Sequence, residues 1–194
     1  MTLNNTNIIL IGPGGSGKST TGQLLAEKLN RPWIELDNLR WTYHDEIGYD
    51  KEKAAQLRRE KGFVAVVAYW EKFTVYALER VLQDYPAGHI ISTGAGNVVF
   101  NNADYTQRAK QALKPYPYVV LVQPSADIEE SIRICTQRII EQSPGMEDRP
   151  GSPIDVNKSF IRRPDYQDIA KITIYNKDFT PDETCDAVIK AIKS

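Results

Sequence analysis

The chain has 194 residues, enough for one α/β domain with a sizeable core and too few for a comfortable second one. A hydrophobic share of 41% and a charged share of 25% are ordinary for a globular protein, and a net charge of -1 without long basic runs argues against a nucleic-acid partner. The longest apolar stretches are strand-sized, far short of the roughly 18 residues of a membrane span, and the N-terminus lacks a secretory pattern, so a cytoplasmic protein away from membranes is expected.

In chain order, short apolar runs alternate with amphipathic segments, the pattern of a parallel sheet covered on both faces. Residues 7–12 (NIILIG) read as a central buried strand and residues 17–29 as a helix that stops near Pro32. Residues 33–36 read as a second strand ending at Asp37, and residues 51–60 as a polar helix. Residues 63–84 read as a longer helix, with Val64, Val67, Ala68, Tyr76 and Val81 as its buried stripe. Strands follow at 89–93, 118–122 and 171–175, with helices near Asn101, at 126–141 and after Thr180-Pro181. Residues 143–155 carry three prolines, two glycines and Arg149, and read as a mobile lid. Cys135 and Cys185 lie too far apart for a metal site, and His44 and His89 read as surface or satisfied core residues.

One motif carries strong chemistry. Gly12-Pro-Gly-Gly-Ser-Gly17-Lys18-Ser19, followed by Thr20, matches the phosphate-binding P-loop between a strand and a helix. Glycines 12, 14, 15 and 17 let the backbone N–H groups, including that of Ser16, turn toward phosphate oxygens. The helix start adds its dipole, Lys18 a charge for the β- and γ-phosphates, and Ser19 a hydroxyl ligand for magnesium.

Ligands of such sheets collect beyond the carboxyl ends of the strands. Glu35 and Asp37 end the second strand, where one carboxylate can take a proton from a substrate hydroxyl and the other can order a magnesium-bound water. Gly94-Ala95-Gly96 ends the third strand and allows close backbone approach to a ligand.

These features resemble shikimate kinase and its relatives among the small-molecule and nucleoside monophosphate kinases. The resemblance rests on the P-loop, on Glu35-Leu-Asp37, on Ser92-Thr-Gly-Ala-Gly-Asn97, on Arg149-Pro150, and on Arg162-Arg-Pro-Asp-Tyr166. It implies a three-layer P-loop kinase fold, a parallel five-stranded sheet flanked by helices. The whole of 1–194 forms one domain in this reading, with a lid near 143–157 and an acceptor region near 37–85. It further implies ATP and Mg2+ as cofactors, with Ser19 and Glu35 at the metal. Asp37 binds the acceptor hydroxyl and serves as base, residues 94–96 line the acceptor site, and Arg162 pairs with an acceptor carboxylate. Lys18 and Arg149 neutralise charge on the transferred phosphoryl group. Either Arg133 or Arg138 packs on adenine, with Arg138 the expected nucleotide contact. The implied partner is a small hydroxyl-bearing molecule, and the implied assembly a monomer or weak homodimer.

The chain departs from the family in its acceptor pocket. The family places a second arginine directly after a glycine-phenylalanine step, whereas Val64 follows Gly62-Phe63 here, and Arg58, Arg59 and Lys72 fall out of register. Residues 41–61 are aromatic and charged without a counterpart, and the aromatic stretch 41–49 reads as pocket wall, with core as the open alternative. The expected activity is phosphoryl transfer to a metabolite hydroxyl with an altered pocket. A nucleotide-binding regulatory protein without efficient transfer, or a nucleotide hydrolase, stays open as an alternative.

Overall fold

The computed structural model describes residues 5–194. Its first strand, β1 (Ile8–Ile11), is wholly apolar and wholly buried, as a strand covered on both faces must be. It pairs in parallel with β3 (Ile90–Ser92) and β4 (Tyr118–Gln123). The edges are β2 (Trp33–Glu35) and β5 (Ile172–Tyr175), so the order is β2-β3-β1-β4-β5 with every pairing parallel. The expected five-stranded sheet flanked by helices is what forms.

Successive β1 side chains face opposite layers. Ile8 and Leu10 pack with Leu25 of α1 (Lys18–Leu29) and with Val188 and Ile192 of α9 (Pro181–Lys193). Ile9 and Ile11 face the other layer. They join Leu36 of α2 (Leu36–Glu46), Leu78 of α4 (Phe63–Asp84), Ala109 of α5 (Ala103–Leu113) and Tyr166 of α8 (Asp165–Ile169). α3 (Lys51–Lys61) packs on α4, and α6 (Ile128–Gln142) on α7 (Pro153–Ile161).

Four expectations change. Leu36 and Asp37 do not extend β2: Leu36 is buried beneath the sheet, and the chain turns at once into α2. Asp37 therefore stands in the first turn of a helix, where the macrodipole favours an acid. The buried face of α4 runs through Val66, Phe73, Ala77 and Val81, while Val64 is 54% exposed and Ala68 is exposed. That face is broad because α4 meets α2, α3 and α5 at once. Pro153 opens α7 inside the stretch read as lid loop, with the Ser152 hydroxyl accepting from the Asp155 N–H and proline in the first turn. Neither α7 nor α8 was expected.

The aromatic stretch is core, not pocket wall. Trp41 meets His44 at 5.3 Å and Trp70 at 6.0 Å, and Tyr49 meets Phe73 at 5.1 Å, all in edge or tilted contacts that fill the space between α2 and α4. His44 is only 2% exposed, yet neither ring nitrogen has a hydrogen-bond partner. It is a core histidine but not a satisfied one. Burial, helped by the nearby Arg40 charge, lowers its pKa to about 4.

Candidate active site

The site begins where β1 ends. Gly12 has φ 144°, and a Cβ there would stand 2.3 Å from the Val122 carbonyl oxygen of β4, so the neighbouring strand admits only glycine. The loop then curls into α1, whose first residue is Lys18. The Lys18 ammonium is buried inside the loop and donates to the Pro13 carbonyl at 2.8 Å. Burial pushes its pKa down, and the fields of Asp37, Cys135 and Glu35 push it back up.

Side chains brace the loop from outside. Asn176, just past β5, donates to the Ser16 carbonyl at 3.0 Å. Asn157 of α7 meets Gly14 twice: the Gly14 N–H donates to Oδ1 at 2.7 Å, and Nδ2 donates to the Gly14 carbonyl at 3.1 Å. Arg138 of α6 donates to the Gly15 carbonyl at 3.3 Å. Arg133 lies on another face of α6, beside Glu129 and Gln137. Of the two arginines left open by sequence, Arg138 is the one beside the phosphate loop.

Glu35 sits half-buried next to Ser19. Burial raises its pKa, and a hydrogen bond from the Ser19 hydroxyl lowers it. Its Oε2 is buried without a partner, and the described residues hold no cluster of three His, Cys, Asp or Glu able to bind a metal. Such a sparse donor set fits magnesium, which keeps waters and phosphate oxygens and needs only one or two protein groups.

Two cavities meet at Asp37. The smaller, about 200 Å³, is walled by the P-loop through Lys18, Ser19 and Thr20. The larger, about 300 Å³, is walled by Arg40 of α2, by Phe63, Val67, Trp70 and Glu71 of α4, and by Phe160 of α7. Asp37, Gly14, Gly94 and Ala95 border both. Gly94 approaches Asp37 so closely that a Cβ would lie 2.5 Å from the Asp37 Oδ1. Gly96 also lines the larger cavity. The turn is supported from below, since the wholly buried Tyr166 donates its hydroxyl proton to the Ala95 carbonyl. On its far side the buried Glu71 carboxylate accepts from the Asn101 and Asn102 N–H groups at 2.7 and 3.2 Å.

Not every expected residue gathers there. Arg149 is 71% exposed, paired with Glu147 at 3.4 Å, and faces a shallow surface hollow shared with Arg58. Arg162 is half-exposed and paired with Glu129 of α6 at 3.2 Å, outside the cavity wall. Sequence reading missed Arg40, Trp70, Glu71 and Asn157. Arg40 was legible in principle as the residue one helical turn after Asp37, but only with residue 37 in a helix. Asn157 was legible through the Ser152-Pro153-Ile154-Asp155 helix start.

The family model that matches the chain is that of shikimate kinase, over residues 14–193. The chain is 28% identical over 189 residues to a shikimate kinase of Marinomonas sp. (strain MWYL1), covering 96% of this chain and 92% of that protein. Among solved structures it is similar to shikimate kinase from Acinetobacter baumannii in complex with shikimate, with a TM-score of 0.65 and 20% identity over 97% of this chain and 93% of that one. It is similar also to shikimate kinase from Aquifex aeolicus, with a TM-score of 0.59 and 24% identity over 97% and 96%. A phosphate-binding loop, an acid at the mouth of an adjoining cavity and a family match over nearly the whole length converge on one assignment: the chain belongs to the shikimate kinase family and is a small-molecule kinase.

Proposed function

We propose that the protein transfers the γ-phosphoryl group of ATP, with Mg2+, to a hydroxyl of a small metabolite, in an acceptor pocket recut from that of its family. The observation that carries this reading is the Asp37 carboxylate at the junction of the phosphate cavity and the larger cavity. An acceptor hydroxyl on Asp37 lies beside the P-loop, as in-line transfer requires.

The step is a displacement. The acceptor oxygen forms a bond to the γ-phosphorus, the bond from that phosphorus to the β–γ bridging oxygen breaks, and ADP leaves. Asp37 takes the hydroxyl proton as the oxygen attacks. P-loop N–H groups from Gly12 to Thr20 hold the phosphates, and Lys18 leaves the Pro13 carbonyl to neutralise them. The Ser19 hydroxyl would hold Mg2+ and Glu35 would steady its water shell, and the ion would supply charge neutralisation on the phosphates. Residues 94–96 hold the acceptor against Asp37 through backbone groups, and Arg138 flanks the nucleotide. Residues 143–157 act as the lid of a single domain and bring Arg149 over the transferred group, while residues 37–85 supply one side of the acceptor wall. Arg162, paired with Glu129 in this structure, reaches an acceptor carboxylate only by leaving that partner.

The test is a coupled ADP-release assay with Mg2+ and ATP, using shikimate, which the relatives' names make the first acceptor to try, beside polyols, sugar acids and nucleoside monophosphates. Acceptor-dependent ADP release that Asp37→Asn lowers by about 10²-fold or more, with ATP affinity kept within about twofold, is the expected result. Release that ignores acceptor would indicate a hydrolase, and ATP binding with no release under any acceptor a regulatory protein.

A further inference from the structure

Among the residues lining the larger cavity there is one cation, Arg40. It stands on α2, one turn after Asp37, and its guanidinium lies 4.5 Å from the Trp41 ring centre and 5.6 Å from that of Trp70. Two indoles thus flank the guanidinium without using its N–H donors. Among the described residues its carboxylate contact is a single long one, Nη1 to the Asp37 Oδ1 at 3.4 Å, while Nε is shut away beneath the surface without a partner. An arginine that is partly desolvated and whose outer guanidinium nitrogens make no more than one long contact is suited to receive an oxyanion from the cavity.

The neighbouring charges narrow the ligand. Asp37 and Glu71 line the same cavity, so a dianionic phosphate would face two carboxylates with one cation. A monocarboxylate brings half that charge beside the same two acids, and Arg40 matches it one to one. The rest of that wall, through Phe63, Val67, Trp70 and Phe160, suits an apolar or ring face.

Resting on the kinase reading above, we propose that Arg40 is the specificity-determining residue for the acceptor. It binds the acceptor's carboxylate from helix α2, while Asp37 holds the hydroxyl that receives the phosphoryl group. This assigns to α2 the recognition that sequence reading sought on α4 and at Arg162.

Two readouts test it. The first is tryptophan fluorescence, since Trp41 and Trp70 flank the guanidinium, titrated with shikimate, quinate, gluconate and glycerate, with the uncharged amide of each, and with glycerol 3-phosphate. The second is ADP release with the same compounds. The expected result is saturable binding of at least one acid, at least tenfold weaker binding of its amide, and weaker binding of the phosphate ester. Arg40→Met should weaken the acid by at least 30-fold and erase the preference over the amide, with Arg40→Lys between, and the ATP KM unchanged in both variants as the check on folding. In turnover the Arg40 variants should raise acceptor KM with kcat within about threefold, the sign of lost uniform binding. The proposal is overturned by equal binding of acid and amide to the wild type, by an Arg40→Met protein that keeps the preference, by a preference for the phosphate ester, or by binding of none of the acids. Binding that depends on Arg40 without any ADP release would sink the kinase reading while leaving Arg40 as the anion site.

Discussion

Gly94→Ala is the substitution that best separates geometry from stability. The new Cβ would sit 2.5 Å from the Asp37 Oδ1 and 2.4 Å from the Asn97 Oδ1, where ordinary contact begins near 3.4 Å. The Asp37 oxygen must therefore retreat by roughly 0.9 Å. Both obstructing atoms are side-chain ends, so rotation relieves the clash at a cost of about 1 kcal/mol, and the melting temperature should fall by only about 2–4 °C. Transfer should suffer far more, because a displacement of about 1 Å in a reacting group costs on the order of 10²-fold, or about 2.7 kcal/mol in the barrier. The assay is acceptor-dependent ADP release at saturating ATP, with ATP affinity measured by calorimetry and stability by thermal melting. ATP affinity should stay within about twofold, since Gly94 borders the phosphate cavity but belongs to no part of the P-loop. A Gly94→Ala enzyme with kcat/KM within about threefold of wild type would refute the reasoning. It would mean that Asp37 tolerates displacement and is not the base.

Two further outcomes concern the scaffold. Folded His44 has a pKa of about 4 against about 6.5 in an unfolded chain, so the unfolded chain takes up the proton first. Stability from neutral His44 is complete above pH 6.5 and is lost as pH falls toward 4, by at most about 1.4 kcal/mol per unit, and urea midpoints for His44→Phe should fall less steeply over that window. In Gly22→Ala, the helix gains about 1 kcal/mol, but the Cβ would stand 2.3 Å from the Ser92 Oγ and 2.7 Å from the Trp33 Nε1, which hydrogen-bond each other at 3.0 Å. Overpacking of about 1–3 kcal/mol plus about 1 kcal/mol of lost hydrogen bond outweighs the gain, so the melting temperature should drop by roughly 3–10 °C, and an unchanged or higher value would count against this packing argument.

The central sheet was legible because its strands announce themselves. Four apolar residues before a glycine-rich loop admit little but a buried strand, and the P-loop itself is a local motif whose spacing carries its chemistry. The acceptor side was less legible for a physical reason. Residues 33–37 offer only three strand positions before Leu36 is drawn into the core, so the strand-to-helix switch is set by burial from α4, not by any local breaker. Missing that switch hid the pairing of Asp37 with Arg40. The aromatic residues of 41–49 looked like a wall because composition does not say which side of a helix faces the cavity. Trp41 turned inward to His44 and Trp70, while Arg40 beside it faces the opening. Arg149 and Arg162 carry motif positions, yet their placement here follows the acids Glu147 and Glu129, which no motif marks.

The two hydrogen bonds between Asn157 and Gly14 have a thermodynamic consequence. Asn157 Oδ1 occupies the same N–H that a nucleotide phosphate would claim in the proposed reading, so the amide behaves as a built-in competitor for the loop. It keeps Gly14 satisfied in the absence of nucleotide, and its displacement must be subtracted from the intrinsic affinity for ATP. Because Asn157 is carried by α7, arrival of phosphate and release of that helix are linked, and linkage is reciprocal. Whatever favours α7 in a displaced position raises affinity for nucleotide, and nucleotide in turn loosens the helix that covers the acceptor cavity.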